Sequence, residues 1–265
     1  TVTGVRARLH SPGRVLAELT EVARDRRVGY AVLFDDDFAA DRDRVSAICE
    51  GISTAALDLS WKSEARADEL DGHLLEQMAR AGCRLVAMGV ESCHARSLDA
   101  LGKGLEPGQI RAAFEAARRA GVDTLAYVLV GIPGETVADV LATADFCRDV
   151  GARWVQFSTL SPYPGTALHT DARRRGWLAD RGPRNPVDAE RHRPTLLAPP
   201  WTEHSLREAL WRAHARFYLR PGFAFSLARG AVAGAPLRPL WEAGSAVSRW
   251  LAAEGLRLMV RRPAA

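Results

Sequence analysis

The sequence predicts an α/β protein in which parallel strands alternate with helices. Apolar runs without polar alternation, such as residues 124–130, are typical of strands that helices cover on both faces. Before four of the strands a glycine follows the preceding helix, where a left-handed cap is expected; these glycines are Gly29, Gly82, Gly121 and Gly151. The pattern predicts five strands joined by right-handed βα connections, fewer than the eight that close a complete barrel.

The chain begins with a predicted helix that Ser11 caps, with Pro12 at its first position, and that runs to about residue 27. Residues 28–34 are apolar and rich in β-forming types, which predicts the first strand. Asp41 is the expected cap of a second helix. The apolar face of that helix comprises Val45, Ile48, Cys49 and Ile52.

Four further strands are expected along the chain. The first of them alternates apolar and polar residues, and the other three are apolar runs that each follow a predicted helix. The four strands are residues 57–61, 85–90, 125–130 and 154–160.

The regular alternation ends near residue 168, so we predict a core domain over residues 1–168 and a helical extension over 169–265. Residues 169–202 are rich in Pro and Arg and predict a connector. A helix is expected to open at Thr202 or Glu203, and a further helix is expected over residues 240–256. We expect these helices to pack on the core; contact with a partner or a membrane surface are the alternatives.

Composition narrows the class of protein. With 265 residues, of which 47% are apolar, the chain is long enough to bury a sizeable core. Residues 1–168 hold 19 basic and 24 acidic residues, whereas residues 169–265 hold 17 basic and 8 acidic ones. The basic residues are scattered, so we predict no nucleic-acid binding. Arg229 interrupts the longest candidate membrane span and no signal peptide is recognisable, which predicts a cytoplasmic protein.

The four cysteines do not form a metal-binding motif. Cys49, Cys83, Cys93 and Cys147 follow one another at intervals of 34, 10 and 54 residues. No zinc, redox or iron-sulfur motif has this spacing, so the thiols are expected to be free or packed in the core.

Polar motifs follow all five strands and predict a ligand site. The carboxyl ends of parallel strands lie on one rim, where α/β folds keep their sites. Carboxylates for ammonium and ribose groups, a serine for a carboxylate and glycines that admit a flat ring suit a small zwitterionic nucleoside. The rim residues are Asp35, Asp36, Asp37, Glu64, Arg66, Glu91, Ser92, Gly131, Pro133, Gly134, Glu135, Gln156 and Tyr163.

The order and wording of these motifs resemble the radical S-adenosylmethionine (radical SAM) superfamily, and within it the class with cobalamin-binding members. The resemblance covers about residues 5–168. It rests on five segments, residues 34–38, 89–92, 98–104, 128–135 and 162–166.

The resemblance implies a partial (βα) barrel and a radical enzyme. In the family, a CxxxCxxC loop on the first strand holds a [4Fe-4S] cluster, which chelates S-adenosylmethionine. One-electron reduction then cleaves S-adenosylmethionine to a 5′-deoxyadenosyl radical. The expected cofactors are therefore S-adenosylmethionine, the cluster and cobalamin, and the expected partners are a reductant protein and a small-molecule substrate.

The resemblance also implies residue roles. Asp35, Asp36 and Asp37 match the motif that binds the methionyl amino group, and Lys103 matches a basic residue that pairs with the methionyl carboxylate. Other matched positions serve the nucleoside. Glu91 and Ser92 would face the ribose and carboxylate, Gly131, Pro133, Gly134 and Glu135 would pass under the adenine and ribose, and Gln156 and Tyr163 would line the adenine side.

This sequence departs from the family in one respect, because it contains no CxxxCxxC. We therefore expect it to be the carboxyl-terminal part of a radical enzyme whose cluster ligands lie upstream. The alternative is a cluster-free barrel that acts as a binding or scaffold module. A fragment that lacks the neighbouring strand is expected to expose an unpaired sheet edge and to associate, whereas a soluble folded monomer would support the module. The catalytic residues are unassigned, and the basic, Trp-bearing tail is compatible with a hydrophobic substrate or with peripheral membrane contact.

Overall fold

The computed structural model describes residues 8–25, 28–179 and 196–220. Contacts divide the chain into two compact units. The first unit runs to Val128 and also includes Phe146–Gln156 and Tyr163–Thr170. The second unit consists of Leu129–Asp145, Phe157–Pro162 and the described residues from Asp171 onward.

The secondary structure alternates between helix and strand, as the sequence predicts. Short 3-10 turns at Phe38–Ala40 and Ala67–Glu69 interrupt the alternation. In chain order the elements are α1 Pro12–Arg24, β1 Tyr30–Val32, α2 Arg42–Thr54, β2 Ser60–Ala65, α3 Gly72–Arg80, β3 Cys83–Glu91, α4 Ala95–Ala100, α5 Pro107–Ala120, β4 Asp123–Val130, α6 Val137–Asp149, β5 Trp154–Thr159, α7 Ala167–Arg174 and α8 Glu203–Tyr218.

The five strands form one parallel sheet in the order β1-β2-β3-β4-β5, which confirms the partial (βα) barrel. Val32 pairs with Lys62, and Glu64 pairs with Ala87 in the next strand. Gly89 pairs with Tyr127, and the register then shifts before Glu91 pairs with Val128. Because all the strands run the same way, the residues that follow them lie at one end of the sheet.

Capping residues start the helices where the sequence predicts. The Ser11 hydroxyl accepts a hydrogen bond from the Arg14 N–H at 3.3 Å, and Asp41 accepts one from the Arg44 N–H at 2.9 Å. Each cap satisfies an N–H that has no partner inside the helix. The predicted apolar face of α2 is buried at all four positions, Val45, Ile48, Cys49 and Ile52.

The predicted left-handed glycine caps before the strands are confirmed at three positions, and the prediction is wrong at the fourth. Gly82, Gly121 and Gly151 have φ values of +93°, +74° and +80°, which only glycine adopts without strain. Gly29 has no positive φ. Helix α1 ends earlier, at Arg24, where Asp25 stays extended and accepts a hydrogen bond from the Val28 N–H, so no left-handed glycine is needed there.

Strand β1 is shorter than the predicted residues 28–34. Only Tyr30–Val32 has strand geometry, although single hydrogen bonds from Ser60 to Gly29 and from Leu33 to Lys62 extend the pairing at both ends. Tyr30, Val32 and Phe34 are 47%, 45% and 89% exposed. Strand β1 therefore carries an exposed apolar face, and the expected association through this edge stays a prediction.

The second unit contains the helix expected at Thr202. Thr202 caps α8, and Leu206, Leu210 and Phe217 on its apolar face are buried. Arg216 forms a two-bond ion pair with Asp145 of α6, at 2.8 and 2.6 Å. Helix α8 therefore contacts α6 within its own unit, and its packing on the rest of the predicted core domain stays a prediction.

Two other expectations concern the segment after residue 168. Helix α7 occupies the start of the predicted connector. The helix expected over residues 240–256 lies outside the described residues. Across the described ranges, no helix has the length and apolar character needed to cross a bilayer.

Candidate functional site

Glu91 ends strand β3 in an unusual backbone conformation. Its φ is +59°, in the left-handed region that a glutamate seldom adopts, and the sheet register shifts between Gly89 and Glu91. Such strain costs about 1–3 kcal/mol and is found mainly at functional sites. The irregularity turns the Glu91 side chain away from the regular alternation of the strand.

The Glu91 carboxylate forms an ion pair with Lys103. Their Oε1 and Nζ atoms lie 2.6 Å apart, and the side chains are 9% and 37% exposed. A Cβ atom at Gly89 would lie 2.7 Å from Glu91 Oε1, too close for either atom to remain in place. Gly89 is therefore required for the carboxylate to lie over the strand.

Arg66 holds the segment that carries Lys103. Its Nε and Nη2 donate to both oxygens of Asp68 at 3.0 and 2.9 Å, and Nη2 also donates to the Lys103 carbonyl at 3.0 Å. The paired carboxylate keeps the guanidinium fork in one orientation. Arg66 thus supports the neighbouring site residue through its backbone.

The three consecutive aspartates have different environments. Asp35 forms an ion pair with Arg44 at 3.2 Å, and Asp36 is exposed. Asp37 accepts a hydrogen bond from the Arg66 backbone N–H at 3.3 Å. Asp37 is therefore hydrogen-bonded directly to the Arg66 segment.

Glu69 lies beside Asp37 and was not predicted from the sequence. Burial, then the hydrogen bond with Asp37 and the negative charge of Asp37, raise the pKa of Glu69 to about 7, against an ordinary value of 4.5. Its Oε2 atom is buried and receives no hydrogen bond from the described residues. Glu69 therefore keeps a proton in the slightly acidic range.

Ser92 is buried next to Glu91. Its hydroxyl accepts a hydrogen bond from the His94 N–H at 3.2 Å, and its own N–H donates to the Val90 carbonyl at 2.7 Å. The hydroxyl therefore helps to fix the turn that leads from β3 into α4.

Tyr127 and Glu64 form a second polar pair in the first unit. The Tyr127 hydroxyl donates to Glu64 Oε1 at 2.7 Å. Burial, followed by the bond to Glu64, raises the pKa of Tyr127 above its ordinary value, so the phenol keeps its proton. Tyr127 was hidden in an apolar run, where an aromatic residue is read as core.

The glycine loop after β4 belongs to the second unit. Gly131 and Gly134 have φ values of +96° and +81°, and a Cβ atom at Gly131 would lie 2.8 Å from Leu206 Cδ2. Pro133 is half-buried between them, whereas Glu135 is only 1% exposed. The positive φ angles explain why glycine occupies both positions.

Residues from the predicted connector hold this loop. The Trp201 indole N–H donates to the Ile132 carbonyl at 3.0 Å, and the Gly134 N–H donates to the Pro199 carbonyl at 3.4 Å. Trp201 itself is 5% exposed. No motif in the sequence links these positions.

Gln156 and Tyr163 are exposed members of the first unit. The Tyr163 carbonyl accepts hydrogen bonds from the Thr166 N–H at 3.1 Å and from its hydroxyl at 2.7 Å. The structure thus gathers Asp37, Arg66, Glu91 and Lys103 into one hydrogen-bonded cluster. The approach of the glycine loop, Gln156 and Tyr163 to that cluster stays a prediction.

The residues present do not fit an iron-sulfur cluster. The sequence has four cysteines and no CxxxCxxC, and no group of metal-ligating side chains occurs among the described residues. Cys49, Cys83 and Cys147 are buried free thiols. By contrast, the carboxylate and ammonium groups around Glu91 suit the polar groups of a nucleoside-bearing amino acid.

A parallel partial (βα) barrel with charged residues gathered at a strand tip defines a class of α/β proteins that bind small ligands at the carboxyl ends of their strands. The family model described as Radical SAM superfamily matches residues 2–147. This chain belongs to that superfamily.

Two curated relatives are considerably longer than this chain. An uncharacterized methyltransferase of Pyrococcus horikoshii is 30% identical over 218 residues, which are 82% of this chain and 47% of the relative. An anaerobic magnesium-protoporphyrin IX monomethyl ester cyclase of Rubrivivax gelatinosus is 24% identical over 163 residues, 61% of this chain and 29% of the relative. The chain thus spans less than half the length of either protein.

Solved structures share the fold. The radical S-adenosylmethionine methyltransferase TsrM of Kitasatospora setae, solved with cobalamin and a [4Fe-4S] cluster bound, aligns with a TM-score of 0.63 at 18% identity. The alignment covers 77% of this chain and 47% of TsrM. Coproporphyrinogen III oxidase of Escherichia coli, described as a radical SAM enzyme, aligns at 0.53 with 13% identity, covering 78% of this chain and 45% of that protein.

Proposed function

We propose that this chain supplies the S-adenosylmethionine-binding strands of a radical SAM enzyme that transfers a methyl group or otherwise modifies a small-molecule substrate. Family membership and the methyltransferase relative support this proposal. The observation that carries it is the Glu91–Lys103 pair, built at a strained strand tip over a glycine.

The proposed roles follow from the chemistry of these side chains. A carboxylate is a hydrogen-bond acceptor, so Glu91 accepts from the ribose hydroxyls. The Lys103 ammonium has three donors, which allows it to keep Glu91 and also bind the methionyl carboxylate. Arg66 fixes the Lys103 backbone and therefore holds this ammonium in place.

Asp37 and Glu69 are the proposed acceptors for the methionyl ammonium. Glu69 keeps a proton up to about pH 7 when no ligand is bound, because its pKa is raised. An arriving ammonium favours the ionised form of Glu69. Binding of the cation at this pair is therefore expected to release a proton.

A [4Fe-4S] cluster, when bound in such enzymes, supplies the electron that cleaves S-adenosylmethionine. The cysteines of this chain do not fit the cluster, so none of them is proposed as its ligand. Cobalamin and a one-electron reductant protein belong to the proposal for the whole enzyme.

Calorimetric titration of the chain with S-adenosylmethionine and S-adenosylhomocysteine tests the proposal. We expect one ligand per chain. The affinity should fall by about tenfold or more in Glu91→Gln and in Lys103→Met, since a charge-assisted hydrogen bond contributes about 1.5–3 kcal/mol. Glu76→Gln is the matched control, because Glu76 is 62% exposed on α3 and lies outside the cluster. Circular dichroism checks that each variant is folded.

The absence of CxxxCxxC from this sequence favours a second candidate, a cluster-free barrel that serves as a binding or scaffold module. The same titration separates the two candidates. A folded protein that binds neither nucleoside contradicts the radical SAM proposal and supports the module. Binding that is unchanged in both site variants places the nucleoside elsewhere and also contradicts the proposal.

A further inference from the structure

We propose that Lys62, Glu64 and Tyr127, named here the Glu64 face, bind the amino and carboxylate groups of an amino-acid-like substrate. This inference rests on the proposed function, because it places the substrate beside the nucleoside site. The sequence places Glu64 on the rim of the predicted ligand site, but the roles that the family resemblance implies and the proposed nucleoside contacts use none of these three side chains.

Strand β2 presents two chemically different faces. Trp61, Ser63 and Ala65 are buried, whereas Lys62 and Glu64 between them are half-buried. Trp61 donates its indole N–H to the Ala81 carbonyl at 2.7 Å, so the buried face lies against the end of α3. Lys62 and Glu64 therefore lie on the opposite face of the sheet.

Tyr127 reaches Glu64 across strand β3. Glu64 pairs in register with Ala87 of β3, and Tyr127 pairs with Gly89. These two small residues leave the space in which the phenol and the carboxylate meet at 2.7 Å. Faces of parallel sheets are normally covered by apolar side chains, so packing alone does not account for this pair.

Glu64 and Tyr127 keep oxygen atoms that are able to accept further hydrogen bonds. The phenol keeps its proton, and its O–H donates a hydrogen bond to Glu64 Oε1. Within residues 8–25, 28–179 and 196–220, Glu64 has no other hydrogen-bond partner. The second oxygen of Glu64 and the lone pairs of the phenol are therefore positioned to accept from an ammonium group.

Lys62 contributes a positive charge beside the Glu64 carboxylate. Its ammonium forms no ion pair with any residue that the structure describes. Residues two apart on one strand are separated by roughly 7 Å, so Lys62 and Glu64 present opposite charges side by side. A ligand with one cationic and one anionic group complements both charges, which is the chemistry of an amino acid.

The Glu64 face adjoins the proposed nucleoside site at Gly89. A Cβ atom at Gly89 would lie 2.7 Å from Glu91 Oε1 and 3.9 Å from Lys103 Nζ. Gly89 is also the register partner of Tyr127. The two polar pairs thus adjoin the same glycine, so a substrate on the Glu64 face lies next to a nucleoside held by Glu91.

The test uses three probes that share one side chain and differ in charge: zwitterionic L-leucine, its methyl ester, which is cationic, and N-acetyl-L-leucine, which is anionic. The chain is labelled with ¹³C in its tyrosine rings and saturated with S-adenosylhomocysteine. Tyr127→Phe identifies the Tyr127 resonance among the four tyrosines. We expect leucine to shift this resonance saturably, and to bind more tightly than either derivative.

The variants assign each charge. Glu64→Gln should lower the affinity for the methyl ester by about tenfold or more, and Lys62→Met should leave that affinity unchanged. For N-acetyl-L-leucine, Lys62→Met should lower the affinity and Glu64→Gln should leave it unchanged. Glu76→Gln should alter neither affinity. The absence of any saturable shift, or binding insensitive to both variants, overturns the inference.

Failure of this inference and failure of the proposed function give different results. A chain that binds S-adenosylhomocysteine by calorimetry but shows no leucine-dependent shift contradicts the Glu64 face alone. A chain that binds leucine but no nucleoside contradicts the proposed function alone. Competition between leucine and S-adenosylhomocysteine would show one shared site and overturn the inference.

Discussion

The indole N–H of Trp201 donates to the carbonyl oxygen of Ile132 at 3.0 Å, over a separation of 69 residues. Trp201 is buried, and the same segment accepts a hydrogen bond from Gly134 through the Pro199 carbonyl. Residues 199–201, which have no motif of their own, therefore brace the glycine loop that the sequence marks as functional.

Replacement of this indole tests the brace. Trp201→Phe keeps an aromatic ring but removes one of the two hydrogen bonds that the buried Ile132 carbonyl accepts, the other coming from the Glu135 N–H at 3.1 Å, and should lower the free energy of unfolding by about 1 kcal/mol. Hydrogen exchange at Gly134 and Glu135 should also become faster, because the loop loses a support. Mass spectrometry of exchanged peptides measures the effect.

Trp177→Phe is the matched control for the brace. Trp177 is half-buried in the same unit and stacks with Arg175 rather than with the loop. It should leave exchange at Gly134 and Glu135 unchanged. Equal acceleration in the two variants would refute a specific role for Trp201.

Gly89→Ala should impair binding more than folding. The added Cβ would lie 2.7 Å from Glu91 Oε1, the end of a side chain that is able to move away. The movement separates Glu91 from Lys103, so nucleoside affinity should fall about tenfold while the unfolding free energy changes by about 1 kcal/mol or less. Calorimetry and urea unfolding measure the two quantities.

Gly108→Ala provides the comparison, since a Cβ atom there meets nothing within 4 Å. It should leave affinity unchanged. Full nucleoside affinity in Gly89→Ala would mean that the placement of Glu91 over the strand is unimportant for binding.

Glu69 should make the stability of the protein depend on pH. The native state keeps a proton that unfolded Glu69 loses, since the pKa is about 7 in the fold and 4.5 ordinarily. This contribution to stability is present below pH 4.5 and is lost as the pH rises to about 7. Allowing for solvent screening, we expect a loss of about 1 kcal/mol from this group.

Urea unfolding at both ends of this pH range measures the effect. Glu69→Gln should reduce the pH-dependent loss, whereas the exposed control Glu76→Gln should not. A native protein and a Glu69→Gln variant with the same pH dependence would show that Glu69 does not hold the proton.

Anaerobic reconstitution with iron and sulfide should give no stoichiometric four-iron cluster on this chain. Burial raises the pKa of the Cys49 and Cys83 thiols to about 12, which disfavours the thiolates that iron requires. Iron analysis and absorption spectroscopy measure the outcome. Four irons bound per chain would contradict the conclusion that these cysteines do not fit the cluster.

Local signals in the sequence predict most of the fold. Ser11 and Asp41 start helices because their side chains satisfy free N–H groups, and Gly82 and Gly121 end them because the left-handed cap favours glycine. These effects depend on neighbours within a few residues. The failure at Gly29 has the same origin, since Asp25 ends α1 by a different turn.

The site is predicted only in part, because its contacts join distant residues. Glu91 and Asp37 follow strands and are found from their motifs. The family resemblance marks Lys103 as a site residue but pairs it with the methionyl carboxylate, so its ion pair with Glu91 was not predicted. The left-handed backbone of Glu91 has no sequence signal either. Tyr127 reaches Glu64 over 63 residues, and only the register of three strands reveals that they meet.

The most direct measurement is a crystal structure of this chain with S-adenosylhomocysteine. The account predicts ribose hydroxyls within hydrogen-bond distance of the Glu91 carboxylate and the ligand carboxylate beside the Lys103 ammonium. A nucleoside bound away from both residues, or crystals that hold none at saturating ligand, would contradict it.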